Sequence, residues 1–234
     1  MDTNILGFYA NVKMLEQEEV FRHFFCSLSK GRQQKIEAIK AAGGRRSTLG
    51  AWTLVDHGLQ QLFGLRERDV TIAYGAHGKP YVQNKPHIHF NLSHSGDYVL
   101  AVFAPTEVGC DIQQTTQGTR EARIAARFFT EAEQQALAAG MDFYRIWARK
   151  ESYIKCIGDG MARDLRSFSV VEDFAQAQGD AISELPDIHG SQTYFAEHIL
   201  PGYAIAVCYA GVNEMKTVWA EIDLREKNDQ CKEI

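Results

Sequence analysis

Residues 147–155 read Trp-Ala-Arg-Lys-Glu-Ser-Tyr-Ile-Lys. On a helix, Trp147, Glu151 and Lys155 stand at i, i+4 and i+8. They share one face, which offers an aromatic body, a carboxylate and an ammonium in a row. Upstream, Phe90-Asn-Leu-Ser-His-Ser-Gly96 precedes an apolar run and Val108-Gly-Cys-Asp-Ile-Gln113 follows it. A histidine, an aspartate and a Glu–Lys pair on separate elements are the parts of a metal-assisted phosphoryl-transfer site.

Each part also has a plain structural alternative. In a strand, Asp111 and Gln113 share one face while Cys110 and Ile112 share the other. A carboxylate in that apolar setting must pair, accept hydrogen bonds or bind a cation; it could equally cap a turn at the strand end. Glu151 and Lys155 could form a surface helix pair, but Trp147 beside them argues that the face is partly covered. Asp111 and Glu151 supply two oxygen ligands, enough for Mg2+ if phosphates and waters complete the octahedron. No His/Cys cluster competes for a softer metal. His94, between Ser93 and Ser95 and ahead of Gly96, reads as a structural hydrogen bonder or, in a turn, as a phosphate donor helped by backbone N–H groups. Lys30, Arg32, Lys35, Lys40, Arg45 and Arg46 fall within seventeen residues, as a solvated helix face or as an anion site. Gly78-Lys-Pro-Tyr81 alone is ordinary turn chemistry. Gly158-Asp-Gly160 follows a helix rather than opening one, so it reads as a stop and not as a phosphate cradle. There is no Gly-x-Ser-x-Gly elbow.

The elements that must position these groups follow from periodicity. A strand is expected over 5–12. Helical spacing runs over 16–42, with a break at Gly31 and a stop at Gly43-Gly44, and again over 46–63. Turns fall at Gly75, Gly78 and Pro80. Strands are expected over 98–103 and 108–112, with turns at 96–97 and 105–107. Thr130-Glu-Ala-Glu133 is a capping box that opens a helix ending before Gly140. The Trp147 helix runs out near Gly158. Further strands are expected over 167–171, 193–200, 203–209 and 219–222, the middle two as a hairpin around Pro201-Gly202. The polar tail, 225–234, is expected to fray. Tyr98-Val-Leu-Ala-Val-Phe and Tyr203-Ala-Ile-Ala-Val-Cys match at Tyr, Ala and Val with an offset of 105. With the similar element order, this predicts two similar α+β halves, 1–112 and 113–234, joined over 112–119, with a ligand cleft between them.

The chain has 234 residues, 45% hydrophobic and 24% charged, as expected of an ordinary globular protein. No apolar run is long enough to span a membrane, and the first residues lack a basic secretory n-region. Five scattered cysteines without Cys-x-x-Cys argue against a disulfide framework or a zinc site and for a reducing, cytoplasmic setting. A net charge of −5 leaves no overall nucleic-acid footprint.

In order, Gly78-Lys-Pro-Tyr, Phe90-Asn-Leu-Ser-His-Ser, Val108-Gly-Cys-Asp-Ile, Arg127-Phe-Phe-Thr-Glu-Ala-Glu133 and Trp147–Lys155 resemble the signature of the 4′-phosphopantetheinyl transferases of the surfactin-synthetase-activating (Sfp) type. The resemblance implies a pseudo-dimer of two α+β halves with coenzyme A and Mg2+ in the cleft. It implies transfer of the phosphopantetheine arm to a serine of an apo acyl, peptidyl or aryl carrier protein, with adenosine 3′,5′-bisphosphate as second product. Asp111 and Glu151 match magnesium ligands; Glu151 also matches the proposed base and Lys155 the pyrophosphate-binding lysine. His94, Arg46 and the Arg32/Lys35 pair match groups that contact coenzyme A phosphates, and Lys79 and Pro80 match the segment beside the adenine. Arg45, Ser93 and Lys150 complete the expected coenzyme A set, and Glu151, Lys155 and His94 are the expected catalytic residues. Gln113 stands where many members carry a second acid, which predicts weaker or more selective metal binding there. A monomer is expected, because the pseudo-dimer buries what a half-length subunit buries by oligomerising. The competing readings are another Mg2+-dependent coenzyme A or nucleotide phosphotransferase and a non-catalytic coenzyme A-binding or carrier-docking protein.

Overall fold

The run 98–103 shows no polar alternation because its strand is covered on both faces. The computed structural model describes residues 4–116, 120–171, 191–211 and 215–225. In chain order the elements are β1 (Asn4–Asn11), α1 (Glu18–Ser27), α2 (Lys30–Glu37), α3 (Ala42–Phe63), β2 (Ile72–Tyr74), β3 (Pro80–Val82), β4 (His89–Ser95), β5 (Tyr98–Ala104) and β6 (Val108–Gln114). Then come α4 (Arg120–Phe128), α5 (Glu131–Ala138), α6 (Phe143–Ile157), β7 (Gln192–Leu200), β8 (Tyr203–Gly211) and β9 (Lys216–Glu221). One sheet has the order β4-β5-β1-β9, another β6-β8-β7, and β2 and β3 form a separate hairpin.

Alternate residues of β5 explain the layers. Val99, Ala101 and Phe103 pack into one core with Leu49, Trp52, Val55 and Leu59 of α3. Leu100, Val102 and Ala104 face the other sheet and pack with Val108, Cys110 and Ile112 of β6 and Ile205, Val207 and Tyr209 of β8. The outer face of that second sheet, through Phe195, Cys208 and Ala210, carries Tyr153, Ile154 and Cys156 of α6. The stack is therefore helix, sheet, sheet, helix, an α+β pair of halves placed back to back. The offset of 105 relates β5 to β8, and the two matched tyrosines, Tyr98 and Tyr203, touch edge-on at 5.0 Å. Such a contact between equivalent residues fits a two-fold relation between halves whose axis passes beside them.

Several expectations are corrected. The helical stretch over 16–42 breaks at Leu28-Ser29, which take extended backbone, and not at Gly31; the Ser29 hydroxyl accepts from Arg32 N and caps α2. Gly43 and Gly44 lie in the first turn of α3 and do not stop a helix; burial of the Leu49–Leu59 face outweighs their weak propensity. The strand expected over 167–171 does not form. A 3-10 turn (Leu165–Ser167) leads into irregular backbone whose polar groups bond to charged side chains, as the buried-pair contacts below show. The expected division at Ile112 does not follow sheet membership: β6 starts before it and belongs to the second sheet, while β9, from the C-terminal half, pairs in parallel with β1. Residues 117–119 of the expected join and 226–234 of the expected tail lie outside the described residues.

Candidate active site

β4 and β6 lie side by side in different sheets, and side chains join them. Asn91 Oδ1 accepts from Cys110 N at 3.0 Å, Ser93 Oγ from Ile112 N at 3.4 Å and Ser95 Oγ from Gln114 N at 3.0 Å. The constant offset of 19 makes the two strands parallel. The alternating polar positions of Asn-Leu-Ser-His-Ser thus satisfy edge N–H groups of β6 that no neighbouring backbone reaches. That seam between the halves is where the chemistry gathers.

Gly109, Asp111 and Gln113 point from β6 toward α6. A Cβ at Gly109 would lie 2.1 Å from Ser152 O and 2.2 Å from Cys156 N, so the helix backbone rests on β6 only because this residue is glycine. The close approach sets Lys155 Nζ 2.5 Å from Asp111 Oδ1 and 3.0 Å from Ser93 Oγ. Ser93 donates to the same Oδ1 at 2.8 Å, and Gln113 Nε2 donates to Oδ2 at 2.7 Å. Asp111, 2% exposed, is thus paired and hydrogen-bonded as a buried carboxylate must be.

Glu151, half-buried one turn before Lys155, has its pKa raised by burial and by the charge of Asp111, against the pull of Lys155. Burial works against the Lys155 ammonium, yet Asp111, Cys110 and Glu151 outweigh it and the pKa is raised. His94 has its pKa lowered by the protein packed around it and by Lys155, against Asp111. Asp111, Gln113, Ser93, His94, Glu151 and Lys155 are therefore one cluster. Among the described residues no three His, Cys, Asp or Glu side chains stand together in an arrangement that could by itself hold a metal ion. The donors on offer are two mutually repelling carboxylates and an amide oxygen, a hard-oxygen set that suits Mg2+ in its chemistry.

The other expected residues are placed differently. His94 lies within β4 opposite Val99, so the expected N–H turn is not formed at that residue. Lys150 is fully buried: its ammonium donates to Glu133 Oε1 at 2.7 Å and to Phe168 O at 2.9 Å, and lies over the Phe168 ring. Its expected contact with coenzyme A is therefore corrected to an interior one. Val170 N also donates to Glu133 Oε1, and Arg149 Nη1 to Val170 O, so these side chains take the place of a strand ladder at 167–171. Arg32 is likewise an interior group, 6% exposed, 3.3 Å over Trp52 and donating to Tyr74 and Glu67. Lys35 lies exposed over the Tyr74 ring at 4.2 Å. Arg46 pairs with Glu16 at 3.2 Å; Arg46 and Arg45 line a cavity of about 660 Å3 that includes none of Asp111, Glu151 or Lys155. Arg32 and Lys35 thus lie against Trp52 and Tyr74, and Arg45 and Arg46 line the cavity beside Glu16. Pro80 opens β3 opposite Tyr74. Lys79 is held by Glu107 Oε2 at 2.7 Å and Cys156 O at 2.8 Å. Sequence reasoning missed the roles of Asn91 and Glu107. Asn91 shared the i, i+2 pattern of Ser93 and Ser95, a signal that could have found it.

Two family models match the chain. The model of the 4′-phosphopantetheinyl transferase superfamily matches residues 107–208, and that of the 4′-phosphopantetheinyl transferase N-terminal region matches 16–106. The chain is 34% identical to the 4′-phosphopantetheinyl transferase Sfp of Bacillus subtilis over 212 residues, 88% of this chain and 92% of that protein. It is 32% identical to the 4′-phosphopantetheinyl transferase gsp of Aneurinibacillus migulanus, over 68% of this chain and 69% of that protein. A shorter stretch, 39% of this chain and 35% of the other, is 38% identical to the human L-aminoadipate-semialdehyde dehydrogenase-phosphopantetheinyl transferase. With one likeness running through both halves and the seam between them, the chain belongs to the 4′-phosphopantetheinyl transferase superfamily, as an Sfp-type enzyme that transfers phosphopantetheine to carrier proteins.

Proposed function

We propose that this transferase moves the 4′-phosphopantetheine arm from coenzyme A to a serine of an apo acyl, peptidyl or aryl carrier protein, in a Mg2+-dependent reaction that releases adenosine 3′,5′-bisphosphate. The observation that carries the reading is Glu151, a carboxylate whose pKa is raised beside the Asp111–Lys155–Ser93 cluster. A carboxylate whose pKa is raised is a better proton acceptor than a free one, which suits abstraction of a hydroxyl proton.

Glu151 takes the proton of the carrier serine, directly or through a water, as the serine oxygen attacks the phosphorus that bears the pantetheine. The bond from that phosphorus to adenosine 3′,5′-bisphosphate breaks, and Lys155 holds the charge left on the departing phosphate. His94, with its pKa lowered, is neutral near pH 7 and gives a phosphate oxygen one hydrogen bond without a full charge. Asp111, Glu151 and the Gln113 amide oxygen would hold Mg2+, which supplies neutralisation of the pyrophosphate when bound. Gln113 must then turn its amide, because Nε2 is the atom now facing Asp111. Lys155 neutralises Asp111 here; with Asp111 engaged by a cation, the ammonium would be available to the phosphate.

Free thiols at Cys26, Cys110, Cys156 and Cys208 support a reducing, cytoplasmic setting. Among the described residues no helix is long and apolar enough to cross a membrane. We read the protein as a monomer, since the interface between halves lies within the chain, and as one without a nucleic-acid or membrane partner. Intact-mass spectrometry of an apo carrier incubated with the protein, coenzyme A and Mg2+, with EDTA as control, tests the reading. A metal-dependent gain of one phosphopantetheine is expected. Coenzyme A binding with no gain on acyl, peptidyl or aryl carriers would sink it in favour of a binding protein.

A further inference from the structure

Glu107, at the turn into β6, has no part in the chemistry above, yet it touches four elements. Its Oε2 takes Lys79 Nζ at 2.7 Å, and Lys79 passes the contact to Cys156 O at 2.8 Å, in the last turn of α6. Its Oε1 takes His89 Nδ1, on the first residue of β4, at 3.3 Å. Its backbone O accepts from the Cys156 thiol at 3.4 Å and from Ala210 N of β8 at 3.0 Å. His89 and Lys79 draw its carboxyl pKa down to about 2, so the carboxylate is charged at any working pH.

The last carbonyls of a helix have no partner within it and sit at the negative end of its dipole. The Lys79 ammonium supplies a partner and a countercharge to Cys156 O, which directly follows Lys155 in the chain. The hairpin before β3, the start of β4 with Ser93 further along it, the start of β6 with Asp111 further along it, and the end of α6 are tied through one carboxylate.

We propose that Glu107 and Lys79 form a positioning clamp that fixes the C-terminal turn of α6, and with it Lys155, against Asp111 and Ser93 for phosphopantetheine transfer. Lys79 then acts through α6 and is not itself a phosphate or adenine ligand. A catalytic ammonium that is misplaced by about 1 Å costs up to about 10²-fold in rate. The loss falls on kcat, because Lys155 stabilises charge that develops only as the leaving group departs.

The assignment rests on the transferase reading, and wild-type transfer measured in the same assay separates failure of one from failure of the other. The test is steady-state transfer with Glu107→Gln, Lys79→Met and the double variant, alongside thermal melts. Each single variant is expected to lower kcat by about tenfold or more with the KM for coenzyme A within about twofold, and the double variant to lose no more than the worse single. A direct-ligand role for Lys79 gives the opposite split: Lys79→Met raises the KM for coenzyme A while Glu107→Gln, which frees the lysine, leaves it unchanged or lowers it. That result overturns the clamp. So do variants with lowered melting temperatures and wild-type kcat, because they would show an ordinary structural contact.

Discussion

Helix α6 carries two lysine–carboxylate pairs five residues apart, and they do opposite things. Lys150 and Glu133 are both 0% exposed and 2.7 Å apart. Burial, only partly offset by Glu133, lowers the Lys150 pKa. The remaining polar capacity is filled: Glu133 caps α5 through Thr130 N and takes Val170 N, and Lys150 takes Phe168 O. Lys155 and Asp111 are 2.5 Å apart, but the lysine side chain is 28% exposed and the net effect raises its pKa. Beside this second pair stands Glu151, a carboxylate that feels Asp111 as a like charge and shares with it the single opposing charge of Lys155. The comparison teaches that a buried ion pair marks function when its charges do not balance and solvent can reach it. A balanced, sealed pair belongs to the architecture.

The sharpest way to break the comparison is to remove the unbalanced charge. Glu151→Ala is expected to cut transfer by about 10²–10⁴-fold with the melting temperature kept or raised. Retained transfer removes Glu151 from the mechanism. Matched substitutions then set the two lysines against each other. Lys155→Met is expected to lose about 10²–10³-fold in kcat, at a small stability cost, because Asp111 keeps its bonds from Ser93 and Gln113. Lys150→Met leaves Glu133 charged and sealed, and is expected to cost about 3–5 kcal/mol in denaturant unfolding while the folded fraction keeps its kcat. If Lys150→Met instead lost activity at full stability, the two pairs would not differ as described.

That contrast was only partly legible in the sequence. The capping box at Thr130–Glu133, the stop at Gly158, the 98–103 strand and the matched tyrosines could be read because each rests on local chemistry or period. The set Ser93, Asp111, Gln113, Glu151 and Lys155 came together because helix and strand periodicity put each on the right face. Lys150 was misplaced because adjacent helical residues point about 100° apart, and nothing local says which face meets Glu133. The interior partners of Arg32 were hidden for a related reason: Trp52, Glu67 and Tyr74 are remote in sequence. The 167–171 strand failed because its polar groups bond to Lys150, Arg149 and Glu133 and not to a strand.

Two smaller effects sharpen the comparison from the side of the unbalanced pair. Gln113→Glu adds a charge next to Asp111 and Glu151, deepening the imbalance that a divalent cation relieves. The Mg2+ concentration for half-maximal transfer should fall several-fold in a titration, and an unchanged or higher requirement defeats the idea that position 113 serves the metal.

The last effect is on stability without metal. A carboxyl whose folded pKa lies above its unfolded value favours folding while protonated, and that contribution is lost as pH rises through the folded pKa. Glu151 is such a group. In EDTA, the wild type should therefore lose stability relative to Glu151→Gln as pH rises through and above the usual carboxylate range, and match it at lower pH. Thermal melts of both proteins across that range make the comparison, and Lys150→Gln serves as the contrast, destabilised near neutral pH because Glu133 loses its only ammonium partner in a sealed site. A Glu151→Gln difference that ignores pH would mean that Lys155 already balances both carboxylates, and the distinction between the two pairs would have to rest on solvent access alone.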